Sequence, residues 1–171
     1  MRPRAARVLR RLGWRKRPTI AIHDLNTLHP PEEQAELPAL NELRSHLISF
    51  LPPDPPKVSA IVPCYNYGAM VGEAVASLEC QCYPNLEILV VNDGSTDPLT
   101  LATLEQMENR GIRVIHQDNQ GLVIARNAGF AEASGEWLIF LDNDDLLEPE
   151  AISALVVHAL HSSGTSFVYP Q

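Results

Sequence analysis

The sequence predicts an α/β domain on a mostly parallel sheet, with helices covering both faces. Three observations predict it. From Lys57 onward, short apolar runs alternate with segments of helical spacing, the rhythm that right-handed crossovers turn into a parallel sheet. The runs are continuous rather than alternating, as strands buried on both sides are. Acids and amides follow the runs, at the carboxyl ends of strands, where such sheets bind ligands.

Each element has a local reason. Residues 58–63 form a short β-branched strand that stops at a proline. Residues 69–82 place Met70, Val71, Ala74, Val75 and Leu78 on one helical face. Residues 86–92 are an apolar run suited to a buried strand. Asp97 and Pro98 then open a helix as N-cap and first helical residue, and it runs to about Arg110. Gly111 ends it. Residues 112–116 read as the next strand, 122–133 as a helix closed by Gly135, and 136–141 as a strand. A further helix starts near Pro149 and Glu150, with 167–169 as a last short strand. Upstream, residues 32–51 carry Leu37, Leu40, Leu43, Leu47 and Phe50 at helical spacing broken by Pro38. Four prolines among residues 52–56 make a stiff linker. The expected organisation is a basic, disordered arm over 1–18, a helical segment and linker over 19–56, and the α/β domain over 57–171.

With 45% apolar and 20% charged residues, the 171-residue chain has the makings of one globular domain plus tails. Its apolar runs are too short to cross a bilayer. The N-terminal segment lacks the pattern of a secretory signal. Cys64, Cys80 and Cys82 lack zinc-site spacing, so reduced thiols in a cytoplasmic protein are expected. The net charge of −8 conceals a split. Residues 1–18 hold eight of the 13 basic residues and no acid, which leaves the remainder at −16. So acidic a body repels phosphate backbones, which argues against nucleic acid as its main ligand. The arm has two readings: a solvated tail, or a patterned segment, with Val8, Leu9 and Leu12 on one side, that makes peripheral contact with an anionic membrane.

The loops after the strands carry the chemistry. Asp142, Asn143, Asp144 and Asp145 follow an apolar strand. Their carboxylates repel one another, and the acidic body offers no obvious basic partner, so a cation that neutralises them is one explanation. Hard oxygen ligands select magnesium, manganese or calcium. In an extended segment Asp142 and Asp144 point the same way and reach one ion. The alternative is a solvated turn that caps the next helix. Asp93 ends a buried strand, where a base or ribose can donate hydrogen bonds to it, while Gly94 to Asp97 serve a sharp turn and a helix cap. Arg126 and Asn127 lie near the start of a helix of otherwise small or apolar residues. Arg126 is either a diphosphate clamp or the partner of a local acid. Residues 63–68 (Pro63, Cys64, Tyr65, Asn66, Tyr67, Gly68) offer backbone groups, a ring face and an amide, fit for a nucleobase or for a tight turn.

The order and spacing of these segments are more specific than any one of them. Residues 59–68 (SAIVPCYNYG), 83–97 (YPNLEILVVNDGSTD), 119–121 (NQG), 125–129 (ARNAG) and 133–145 (ASGEWLIFLDNDD) together resemble the family-2 glycosyltransferases. The resemblance spans about residues 58–169. It implies a Rossmann-like GT-A three-layer sandwich, cut short before its acceptor-binding half. It also implies a nucleotide-diphospho-sugar donor, most often a UDP-sugar, and a manganese or magnesium ion. On the family pattern Pro63, Tyr65 and Asp93 belong to the base and ribose pocket, and Arg126 approaches the diphosphate. Asp142 faces the sugar or ribose, Asp144, with Asp142, faces the metal, and Asn66, Asn127 and Asn143 are counted among the nucleotide-sugar-binding residues. The catalytic base of the family lies in a later acidic motif. Residues 151–171 contain no acid, so the base is expected beyond Gln171, which leaves open a fragment of a longer transferase or a binding module without transfer. A nucleotidyltransferase is the third reading, disfavoured because residues 63–68 lack a glycine- and lysine-rich phosphate loop. Leu122, Val123 and Ile124 are bulkier than the family's usual small residues there.

Overall fold

A computed structural model describes residues 37–161. The basic arm over 1–18 and the short strand over 167–169 lie outside them. In chain order the described elements are α1 (Leu37–Ser49), β1 (Val58–Cys64), α2 (Gly68–Glu79), β2 (Leu86–Asp93), α3 (Pro98–Asn109), β3 (Arg113–Gln117), α4 (Leu122–Glu132), β4 (Trp137–Phe140) and α5 (Ala151–His161). The sheet runs β3-β2-β1-β4 and is parallel throughout.

Two packed layers flank it. On one face Ala60, Val62 and Val90 meet Val71, Val75 and Leu78 of α2, together with Leu104 of α3 and Ile152 and Val156 of α5. On the other, Ile61, Leu89 and Val91 meet Ala125, with Ala128 and Leu138 alongside. The second layer is thin because α4 lies close to the sheet. A Cβ added at Gly129 would sit 2.4 Å from Ile61 Cγ2, so only glycine lets that helix approach so closely. Strand β1 is buried along its whole length and β2 from Leu89 to Asp93, and this burial of apolar side chains is the main stabilising term.

Two sequence expectations are corrected. Pro38 does not break α1, which starts at Leu37 and holds Pro38 in its first turn, where the missing N–H has no helical partner to lose. The helix expected over 69–82 stops at Glu79. The next residues leave it because the Cys82 amide donates to Pro149 O at 2.8 Å and the Gln81 side chain turns to the same strap. The other ends differ by a residue or two. Asp97 caps α3 as expected, accepting from Thr100 N at 2.9 Å.

The linker is fastened to the domain: Tyr83 Oη donates to Pro56 O at 2.5 Å and Asn85 Nδ2 to Pro55 O at 2.9 Å. Burial pushes the Tyr83 hydroxyl pKa up to about 12. Helix α1 rests on α5 through Arg44 and Glu150 (2.5 Å), and Phe50 stands edge-on to His46 and His161. All three cysteines are free thiols, Cys64 buried and Cys80 and Cys82 partly so.

Candidate functional site

The carboxyl ends of β1, β2 and β4 open on a cleft of about 440 Å³, a size suited to a small-molecule ligand. Pro63 and Tyr65 come from the end of β1, Asp93 from the end of β2, and Asp142, Asn143 and Asp144 from the turn after β4. Six of the sequence-predicted residues therefore share one concavity, although up to 81 positions separate them.

The acidic turn begins where β4 ends. The Leu141 amide donates to Ile61 O at 3.0 Å, and the Asp145 amide closes back onto Asp142 O at 3.0 Å. Residues 142–145 are thus a tight turn, as the alternative reading has it, and not the extended segment of the cation reading, because this amide–carbonyl bond folds the chain straight after the strand. Asp142 and Asp144 still line the same cleft. Helix α5 begins at Ala151, six residues past Asp145, so Asp144 and Asp145 are not its cap. The expectation that the acids lack a basic partner is also corrected: Arg126 Nη2 lies 2.5 Å from Asp142 Oδ1. Both side chains are partly exposed, and a pair of this kind adds little to stability. Arg126 Nε is buried and finds no hydrogen-bond partner among the described residues. Neither Arg126, half-buried, nor Asn127, exposed on α4, belongs to the cleft lining.

Asp93 is 4% exposed and heavily hydrogen-bonded by its own chain. Its Oδ1 accepts from Gln117 Nε2 at 2.7 Å and Gln120 N at 2.9 Å, and its Oδ2 from Gly121 N at 2.8 Å. Burial alone would raise its pKa, but those three donors outweigh burial and hold it below the usual carboxylate value. The carboxylate fixes the loop between β3 and α4, and Oδ2, with two lone pairs, accepts one hydrogen bond among the described residues. Gly94 completes the fit. Its φ is +71°, and a Cβ there would meet Asn119 N at 2.6 Å.

Asn66 has a different place from the one the sequence suggests. It adopts a left-handed backbone, φ 58°, and its Oδ1 accepts from Thr96 N at 2.8 Å and Asp97 N at 2.9 Å. The amide side chain ties the β1–α2 turn to the β2–α3 turn and stays out of the cleft lining. Tyr65 and Tyr67, each about half exposed, line the cleft on either side of it. Sequence reasoning did not assign Asn119, Gly121, Leu122 or Ala125 to the site, yet all four line it. Their signal was their position, directly after the carboxyl end of β3.

Among the described residues no group of three or more His, Cys, Asp or Glu side chains is arranged to hold a metal ion. Asp142 and Asp144 supply two hard oxygen donors on one turn. Donors of that type suit a hard divalent ion such as magnesium or manganese. No described helix is long and apolar enough to cross a membrane.

This geometry has known relatives. The sequence model of glycosyl transferase family 2 matches residues 59–170. The chain belongs to that family. It is similar to the putative glycosyltransferase EpsH of Bacillus subtilis, 43% identical over 97 residues, which cover 56% of this chain and 28% of EpsH. It is also similar to the glycosyltransferase GlyG of Streptococcus pneumoniae, 37% identical over 100 residues, 57% of this chain and 33% of GlyG. The fold is that of the GT-A enzymes. S. aureus TarS 1–349 in complex with UDP-GlcNAc superposes with a TM-score of 0.55 at 30% identity, covering 67% of this chain and 37% of TarS 1–349. The mannosyltransferase PcManGT of Pyrobaculum calidifontis, in complex with GDP-Man and Mn2+, gives 0.51 at 25% identity, covering 74% and 40%. This family-2 chain thus spans about a third of the length of such relatives.

Proposed function

We propose that residues 57–171 form the donor-binding half of an inverting, metal-dependent glycosyltransferase that draws its sugar from a UDP-sugar. One observation carries the reading: Asp93, Asp142 and Asp144 converge with Tyr65 on a single cleft at the carboxyl ends of parallel strands. The UDP-GlcNAc bound to TarS and the GDP-Man and Mn2+ bound to PcManGT support a nucleoside diphosphate sugar and a divalent ion here.

In this reading Pro63 and the Tyr65 ring pack against the base, and a lone pair of Asp93 accepts a hydrogen bond from base or ribose. Asp142 orients the sugar or ribose, and Arg126 offers its guanidinium to the diphosphate. When bound at Asp144 and Asp142, a manganese or magnesium ion would supply positive charge against the diphosphate. In the transfer an acceptor hydroxyl oxygen bonds to the anomeric carbon, the bond from that carbon to the diphosphate breaks, and the hydroxyl proton passes to a base. On the family pattern that base belongs to the acceptor-binding half.

Calorimetry tests the reading. UDP should bind this chain more tightly with manganese than without, and Asp144→Ala should abolish the difference. Manganese-independent binding that is the same in wild type and variant would remove the metal from the site. Donor hydrolysis by this chain alone should be slight, and robust transfer to an added acceptor would overturn the assignment of the base.

A further inference from the structure

The acidic turn is held from two sides. On one side β4 delivers it, ending in the Leu141 amide bonded to Ile61 O. On the other, the strap from Leu147 to Ile152 is fastened to the end of α2, more than 65 residues earlier in the chain. Ser77 Oγ accepts from Leu147 N at 3.2 Å and donates to Ala74 O at 2.7 Å. Gln81 uses both ends of its amide. Its Nε2 donates to Glu148 O at 2.8 Å and to Ser77 O at 3.1 Å, and its Oε1 accepts from Ile152 N at 3.1 Å. Ile152 is the second residue of α5, so Gln81 satisfies one of the helix's orphan amides from another element. The Cys82 amide adds a bond to Pro149 O.

We propose that Gln81, seconded by Ser77, is a positioning residue for the donor site: it fixes the strap so that Asp142 and Asp144 are presented to the cleft in one arrangement. Resting on the functional reading above, the proposal assigns a role to two residues that never touch the ligand. The bonds run side chain to backbone, so they hold the strap whatever side chains it carries. Gln81 suits the task because a single planar amide offers a donor and an acceptor at once. A leucine of similar size offers neither. Glutamate keeps the acceptor for Ile152 N but sets an anionic oxygen against the Glu148 and Ser77 carbonyls. Small displacements of site groups matter because a binding constellation tolerates only about 0.5 Å of looseness.

Two measurements on the full chain test this, with Gln81→Leu, Gln81→Glu and the milder Ser77→Ala. The first needs no ligand. Native-state hydrogen exchange should speed at least tenfold at the Asp145 amide, whose bond to Asp142 O closes the turn, while the Leu141 amide keeps its protection. Unchanged exchange at Asp145, or equal loss at both amides, would overturn the proposal. The second compares two probes by calorimetry. The manganese-dependent gain in UDP affinity should fall about tenfold or more, while uridine binds within twofold of wild type. A parallel fall for both probes would mean a merely structural role. Absence of manganese-dependent UDP binding in the wild type would instead sink the functional reading and leave the exchange result to decide the role of Gln81. Should Gln81→Leu fail to fold, Ser77→Ala carries the same two readouts.

Discussion

Arg126 Nη2 lies 2.5 Å from Asp142 Oδ1, so its guanidinium is tied to the first acid of the turn that lines the cleft. The other four Lys and Arg among the described residues pair elsewhere: Arg44 with Glu150, Lys57 with Glu87, Arg110 with Glu79 and Arg113 with Glu132. Among the described residues, Arg126 is the Lys or Arg paired with an acid of the cleft lining. Of the two readings offered by the sequence, the partner of a local acid is the one observed, and the diphosphate clamp is the one a variant tests. Arg126→Ala should raise the Kd for UDP by roughly tenfold or more, about 1.4 kcal/mol. Uridine affinity should change little, and Arg126→Lys should recover only part of the loss, since an ammonium lacks the planar fork. Titration of both ligands against the three proteins checks this, and an unchanged UDP affinity in Arg126→Ala would exclude the clamp.

How far the sequence reaches follows from the range of the interactions. The strands and the helices between them were legible because apolar runs and helical spacing report local burial. The convergence of Asp93, Asp142 and Tyr65 was legible because strand order in a parallel α/β sheet gathers the carboxyl ends. The turn at Asp142 was legible only as one of two alternatives, since Asp and Asn suit a turn but one amide–carbonyl bond decides between extended and folded. The mounting of the strap by Gln81 was not legible, being a contact with Glu148 and Ile152 about 70 residues away that leaves no local pattern. Asn66 shows an intermediate case. Its residue type fits a left-handed backbone, but which amides it would hold depended on the neighbouring turn.

That neighbouring turn gives a second prediction. Asn66 Oδ1 accepts from two amides, and its φ of 58° suits Asn better than Ala. Asn66→Ala should cost about 1–2 kcal/mol, through two unsatisfied amides and a strained backbone. Asn66→Asp keeps the acceptor and should lose less. Urea unfolding of the two variants orders them, and equal stability would remove the role of the side chain.

Glu87 gives the pH dependence. Burial would raise its pKa, but the Ser134 amide, the Ser59 and Ser134 hydroxyls and Lys57 all donate to it and bring it down to about 2, from an ordinary 4.5. A folded-state pKa below the unfolded one stabilises the protein above the unfolded value, and that stabilisation is lost as pH falls through the folded value. Wild type should therefore melt well above Glu87→Gln at pH 6 to 7. The gap should shrink between about pH 4.5 and pH 2. A gap that stays constant over that range would show that the carboxylate's charge is not what the cluster stabilises.

The final prediction concerns a group the fold uses badly. Ser153 sits on α5, 1% exposed, and its Oγ finds no hydrogen-bond partner among the described residues. A buried hydroxyl left unpaired costs about 1–3 kcal/mol relative to a satisfied one, and alanine is also the better helix former. Ser153→Ala removes the polar atom at the expense of a very small void. It should raise stability by about 1 kcal/mol, or a few degrees in Tm. The UDP affinity should stay as it is, because Ser153 lies against the apolar layer and not at the cleft. A fall in Tm would show that the hydroxyl has a partner in solution, and the helix would then be held by a bond at Ser153 as well as by its apolar face.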